Sequence, residues 1–269
     1  MNKIFLKRQI AVLIFIFCFN SGYAQTWNQL EKEYNDLMKN EQNELAVTKA
    51  KEIYSWVKVN ESDTSIHLPI SLKLIGNAFV NNDSAIVYYD FSLNILKKQK
   101  RENHIQVAKL HYNKSNRYRS LNNRELSLRE AESSIQVLTY LNFPEYPFCT
   151  WPLERLGFLY SDMRDYKKAE TYHLQALEIR KKVLGEEHPD YAASLNNLGN
   201  LYSDMGDFKK AETYHLQSLA IKKKVLGEEH PNYALSLNNL GALYSDIGDY
   251  KKAEPYYLQA LAIQKKVLG

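Results

Sequence analysis

The sequence has very little cysteine and none of the familiar catalytic motifs. Only Cys18 and Cys149 occur among its 269 residues, and Cys18 lies within residues 1–24, which are predicted to be removed. A single thiol would then remain, so an intrachain disulfide is excluded. The sequence also has no phosphate-binding glycine loop, no His-Glu-x-x-His motif and no serine on a strand-to-helix turn. We therefore expect a protein that is not an enzyme and that uses neither a cofactor nor a metal.

The chain also lacks a hydrophobic run long enough to cross a membrane. In residues 1–24, three basic residues precede the apolar run Ile10–Phe19, and small residues follow at Gly22-Tyr23-Ala24. A transmembrane helix needs about 20 apolar residues, whereas this shorter run is typical of a cleaved secretory signal peptide. We therefore predict an exported protein, periplasmic or secreted, without a stable membrane anchor after cleavage.

A strong net charge is missing as well. Removal of residues 1–24 would leave 32 basic and 31 acidic residues. This near balance, with both signs interspersed, gives no electrostatic reason to expect a nucleic-acid partner.

What the sequence does contain is a long internal repeat. Residues 160–201 and 202–243 are identical at 34 of 42 positions, and a third copy runs from Tyr244 to Gly269. Apolar residues recur every three or four positions in each half of the repeat, which predicts two amphipathic helices per copy. The first helix is predicted to begin at Pro189, and the second to begin after Asp207 and to end at Gly227 in a left-handed cap.

A glycine also recurs in the middle of each predicted first helix. Glycine there costs about 1 kcal/mol relative to alanine, so its recurrence indicates that a neighbouring helix comes close. The positions are Gly157, Gly199 and Gly241.

These residues resemble the tetratricopeptide repeat (TPR) family. The match consists of Leu198-Gly199-x-x-Tyr202, then Ala211, then Ser218-Leu219. The unit is longer than the usual repeat of about 34 residues and is similar to the kinesin light chain type, including its Leu-Gly-Glu-Glu-His-Pro linkers. The resemblance is strong over residues 145–269. Histidine at positions 173 and 215, where the family usually has an aromatic residue, is expected to pack equally well.

Degraded copies are predicted in residues 25–144. They lie around Leu30–Ile53, Ile75–Leu93 and Asn113–Ala131. Together with the regular repeats of residues 145–269, they predict an all-α protein, an α-solenoid superhelix of about six antiparallel helix pairs. The last repeat has no following helix to cover apolar residues such as Ala260 and Leu261, so we expect the chain either to continue or to self-associate there.

The first helices carry a polar face that is the candidate binding site. In TPR proteins this face lines a concave groove, so the resemblance implies that its asparagines hold a peptide backbone through their amides. The alternative is that Asn197 and Asn239 only cap or bridge within their own repeat. The candidate residues are Asn77, Asn113, Asn116, Arg155, Asn196, Asn197, Asn200, Asn238 and Asn239.

The recurring histidines and glutamates have simpler interpretations. His173 and His215 fall on the packed helix face, where Tyr257 replaces them in the last copy, so packing is favoured over metal binding. His188 and His230 precede the prolines of the linkers, where they suit a turn. Paired glutamates in the same linkers are expected to be solvated, at Glu186, Glu187, Glu228 and Glu229.

Two functions agree with this pattern. The first is an exported scaffold that binds a peptide or a partner protein of unknown identity in the groove of the solenoid. The second is the sensing arm of a longer signalling enzyme or protease, with a catalytic domain beyond residue 269. The two differ in whether the reading frame continues past Gly269.

Overall fold

The computed structural model describes residues 27–142 and 147–268, and these residues contain twelve α-helices and no β-strand. The number and order of the helices agree with the six predicted pairs. The helices are α1 (27–39), α2 (Asn43–Asn60), α3 (His67–Ala78), α4 (Asn82–Lys98), α5 (Ile105–Ser120), α6 (Arg124–Tyr140), α7 (Thr150–Asp162), α8 (Tyr166–Leu184), α9 (Pro189–Asp204), α10 (Phe208–Leu226), α11 (Pro231–Ile247) and α12 (Tyr250–Leu268), with a 3-10 turn at Pro147–Cys149 before α7.

The helices form two compact units. Helices α1–α5 belong to the first unit, which ends at Asn123, and α6–α12 belong to the second, which begins at Arg124. In the first unit, small residues let α2 approach its neighbours, since Ala46 and Ala50 are fully buried. The Tyr34 hydroxyl of α1 donates to the Leu74 carbonyl of α3 at 3.0 Å, which satisfies a buried polar group within this core.

In the second unit, the linker residues start and stop the helices as predicted. Asp207 caps α10 by accepting from the Lys210 amide at 3.2 Å. His188 and His230 cap α9 and α11, because each ring Nδ1 accepts from the backbone amide two residues later. Gly227 ends α10 with φ +84° and ψ 164° rather than in the left-handed helical region, and glycine is nearly the only residue that adopts this conformation.

The mid-helix glycines mark close helix contacts, as predicted. A Cβ atom on Gly199 would lie 2.6 Å from the His215 ring, and one on Gly157 would lie 2.5 Å from the His173 ring. Tyrosine takes the place of histidine in two other pairs, Gly76 with Tyr89 and Gly241 with Tyr257. Each aromatic ring of a second helix therefore lies directly on the backbone of the first.

Tyrosines near the ends of the first helices connect consecutive repeats. The Tyr202 hydroxyl of α9 donates to Glu170 of α8, and its ring stacks on Tyr214 at 5.4 Å. The Lys210 ammonium lies 4.6 Å from the centre of the Tyr202 ring. Burial raises the pKa of this tyrosine above its usual range. The same contacts recur for Tyr160 with Glu132 and for Tyr244 with Glu212.

The face of the second helix that packs against the following helices in α8 and α10 is more exposed in α12. Leu261 is 46% exposed, whereas the equivalent Leu177 and Leu219 are packed against the following helices. Ala260, in contrast, is fully buried against α11.

Candidate functional site

Three of the nine candidate residues lie together in a cleft of the first unit. Asn77 is the penultimate residue of α3, and Asn113 and Asn116 lie one turn apart on α5. They line an open cleft of about 340 Å³. The sequence analysis did not single out the other residues that line it, which are Tyr89, Arg117 and Ser120.

The asparagines of the cleft are connected by hydrogen bonds. The Asn77 side-chain oxygen accepts from the Tyr89 hydroxyl at 2.9 Å and from the Asn113 amide at 3.0 Å. These bonds join α3, α4 and α5, so three helices hold the polar floor of the cleft in place. Burial raises the pKa of Tyr89, while the positive charge of Arg117 and a hydrogen bond from it oppose the rise.

Arg117 brings a positive charge to this cleft. One terminal nitrogen donates to the Asn77 carbonyl at 3.2 Å, and the other donates to the Asn82 side-chain oxygen at 3.3 Å. These acceptors are neutral, and no carboxylate within the described ranges forms an ion pair with Arg117. A signal for Arg117 was present in the sequence, since it follows Asn113 by four residues and so shares its helix face.

In the second unit, Asn197 holds two repeats together. Its side-chain amide donates to Glu154 of α7 at 3.0 Å. Glu154 also forms a two-point ion pair with Arg180 of α8, at 2.6 and 2.9 Å. Burial raises the pKa of Glu154, although Arg180 and the hydrogen bonds act against the rise. Asn197 therefore bridges to the preceding repeat rather than within its own.

Asn196 was predicted to belong to the polar face, but the structure places it inside the repeat. It is 6% exposed, and its side-chain oxygen lies 2.9 Å from His215 Nδ1. A rotation of about 100° per residue separates it from Asn197, which is enough to turn its amide towards α10. Asn196 therefore leaves the set of candidate binding residues.

The remaining candidate residues belong to the second unit and not to the cleft. Asn200 is exposed on α9, while the half-buried ones are Arg155 on α7 and Asn238 and Asn239 on α11.

One buried lysine replaces the ion pair of the preceding repeat. Lys222 occupies in α10 the place of Arg180 in α8, and Asn196 stands where that repeat has Glu154. Lys222 is 4% exposed and its Nζ donates to the Ser236 hydroxyl at 2.8 Å. Burial lowers the pKa of this ammonium group to about 8.

The recurring histidines and glutamates do not form a metal centre in the part of the chain that the structure describes. The linker glutamates form exposed ion pairs. Glu187 and Glu229 pair with the following second helix, at Lys224 and Lys266, whereas Glu186 and Glu228 pair with the preceding one, at Lys181 and Lys223. Within the described ranges, no helix is both long enough and apolar enough to cross a membrane. The predicted signal peptide, residues 1–24, lies outside those ranges.

The comparison with protein families agrees with the resemblance seen in the sequence. Residues 149–224 and 204–266 match the tetratricopeptide repeat model. Over residues 149–266 the chain is therefore similar to tetratricopeptide repeats. No curated protein matches the sequence.

Solved structures show the same fold at low sequence identity. BtubC (BKLC) from P. vanneervenii has a TM-score of 0.71 and 20% identity, over 89% of this chain and 92% of that one. The nearly identical TPR-like repeats assigned to a kinesin light chain of Podosopora anserina give 0.64 and 22%, over 77% and 98%. A Rap protein complexed with Competence and Sporulation Factor gives 0.57 and 16%, over 89% and 76%. The predicted all-α solenoid class is thereby confirmed.

Proposed function

We propose that the protein is an exported scaffold, not an enzyme, that holds a peptide segment of a partner protein in the cleft of its first unit. The observation that carries this proposal is the Arg117 charge, which has only neutral partners and lies beside Asn77 and Asn113. The Rap structure, which has the same fold, contains a bound factor. That complex supports the idea that such a fold can hold a ligand, while the cleft residues define where this chain would do so.

The chemistry of the cleft favours a ligand rich in hydrogen-bond acceptors. A guanidinium group only donates, and it matches the geometry of a carboxylate. Asparagine amides hold backbone groups through one acceptor and two donors. A peptide that places an acidic side chain or its C-terminal carboxylate beside Arg117 would satisfy both features.

Peptide arrays provide a direct test. The purified protein is applied to random hexapeptides, each printed once with a C-terminal carboxylate and once with a carboxamide. Hydrogen bonds to charged groups contribute about 1.5–3 kcal/mol, so Arg117→Gln should weaken the best carboxylate peptides by tenfold or more. The matched control is Arg119→Gln, because Arg119 is exposed on the same helix and does not line the cleft.

Helicity measured by circular dichroism should be the same for both variants. Equal binding by the two variants, or no peptide bound by the wild-type protein, would contradict the proposed site.

Export is proposed from the pattern of residues 1–24 and has its own test. When the full sequence is expressed in a Gram-negative bacterium, the protein should leave the cytoplasm and its N-terminus should be Gln25, because the small residues before Gln25 suit signal peptidase. N-terminal sequencing of the fractionated protein measures both. A cytoplasmic protein that still begins with Met1 would show that export is wrong.

A further inference from the structure

Tyr89 lies beneath the cleft, where its ring and its hydroxyl make different contacts. Its ring packs on the backbone of α3, since a Cβ atom on Gly76 would lie 2.6 Å from it. Its hydroxyl donates to the Asn77 side-chain oxygen at 2.9 Å and also accepts a hydrogen bond from Arg117. The residue is 1% exposed, so the ring is fixed by packing and the hydroxyl is held in one place. The packing contact needs only an aromatic ring, whereas the hydrogen bond needs the hydroxyl.

The hydrogen bonds to Asn77 fix the direction in which its amide points. Its side-chain oxygen has two lone pairs, and these accept from Tyr89 and from Asn113. Its side-chain nitrogen therefore points away from Tyr89 and Asn113, and both of its N–H groups can still donate. No acceptor for these groups is found among the residues that the structure describes.

We infer that Tyr89 is a positioning residue: its hydroxyl orients the Asn77 amide so that the cleft offers N–H donors beside Arg117. This inference rests on the proposed function of the cleft. Two donor groups side by side select for a carboxylate or a carbonyl and against a carboxamide nitrogen, which would meet other donors. Tyr89 would thus determine which end group of a peptide is accepted, through the orientation that it gives to the Asn77 amide.

The regular repeats show that packing does not require this arrangement. Histidine replaces tyrosine at the equivalent positions of α8 and α10, and His215 bonds to Asn196 instead of to a residue after the glycine. Tyr257 of α12 packs on Gly241 in the same way as Tyr89 packs on Gly76. No hydrogen bond from the Tyr257 hydroxyl is present in the described part of the chain. The link from tyrosine to asparagine is therefore a feature of the first unit.

Replacement by phenylalanine separates the two roles. Tyr89→Phe keeps the ring on Gly76 and removes only the hydroxyl, so the helices should remain packed. The Asn77 oxygen would then keep a single donor, and the amide could turn its oxygen towards the Arg117 guanidinium. Tyr257→Phe is the matched control, because it removes a hydroxyl from the same place in another repeat.

The experiment measures the ratio of binding to the carboxylate and carboxamide forms of the same hexapeptides. We expect the wild-type protein and Tyr257→Phe to prefer the carboxylate form by tenfold or more. Tyr89→Phe should lower that ratio at least fivefold while its melting temperature stays within a few degrees of the wild-type value.

An unchanged ratio for Tyr89→Phe, with binding still lost in Arg117→Gln, would overturn the positioning role and leave the proposed function in place. Loss of folding in Tyr89→Phe would overturn it as well, because the hydroxyl would then be structural. If the wild-type protein binds neither form, the proposed function itself is wrong.

Discussion

The regular repeats should lose much of their stability between pH 6.5 and pH 4, and a variant with His173→Tyr and His215→Tyr should lose far less. Both imidazoles are almost fully buried, at 2% and 1% exposure. Burial lowers the pKa of each to about 4, and the charge of Lys222 acts in the same direction on His215. Each histidine is therefore neutral in the folded protein across most of this pH range.

The direction of the effect follows from proton binding. In the unfolded chain these imidazoles take up protons near pH 6.5, whereas in the folded chain they do so only near pH 4. Lowering the pH through this window therefore favours the unfolded chain. The free energy of unfolding should therefore be lower at pH 4 than above pH 6.5, by roughly 2–3 kcal/mol for each histidine.

The surroundings of the two rings explain why a proton is poorly accommodated. His173 faces the backbone of Gly157, and the centre of its ring lies 5.1 Å from that of Phe158 in an edge-to-face arrangement. Its Nδ1 has no hydrogen-bond partner among the described residues. His215 has one polar partner, the Asn196 oxygen. No carboxylate within the described ranges forms an ion pair with either ring that would favour the charged form.

Tyrosine is a suitable replacement because the chain already uses it in this place. Tyr257 and Tyr89 pack on their own glycines with the same close approach. Urea unfolding at pH 7.0, 5.5 and 4.5, followed by circular dichroism, measures the effect. Both proteins keep the same carboxylates, so the difference between them reports the two imidazoles.

A second variant controls for histidine content. His188→Asn with His230→Asn removes two histidines that cap helices, and asparagine is an equally good N-cap. This variant should remain as sensitive to acid as the wild-type protein. The explanation is wrong if the double tyrosine variant loses as much stability as the wild-type protein does.

Gly199→Leu should destabilise the protein by about 1–3 kcal/mol through overpacking. Leucine is better than glycine in a helix by almost 1 kcal/mol, so the substitution would stabilise an exposed site. At Gly199 the new Cβ atom would meet the His215 ring at 2.6 Å, and that ring is buried and cannot move freely. The steric cost therefore outweighs the gain in helix propensity.

Thermal unfolding with two comparison variants measures this effect. Lys209→Leu, on the exposed surface of α10, should change the melting temperature little. Adding His215→Ala to Gly199→Leu should recover part of the lost stability, because the ring that causes the clash is gone. Equal shifts for Gly199→Leu and Lys209→Leu would show that the helix contact has been misassigned.

Local features of the sequence were enough to predict the helices. The spacing of apolar residues, Pro189 at the start of α9, and Asp207 and Gly227 around α10 predicted helix ends that agree with the structure within one or two residues. These signals act within one or two turns of backbone, so a single sequence carries them. The mid-helix glycines likewise predicted close contacts correctly, because only a near neighbour explains a residue that weakens its own helix.

The partners of the polar side chains on the helix faces were decided by the tertiary structure alone. Asn196 and Asn197 are adjacent in sequence, yet one bonds to His215 inside its repeat and the other to Glu154 of the preceding repeat. In the same way, Arg117 and Asn77 meet although about 40 residues separate them. Helical periodicity assigns a residue to a face, but it does not say which side chain of another helix lies opposite. That pairing depends on how the helices pack together, and it is this packing that turns three scattered asparagines and an arginine into a cleft.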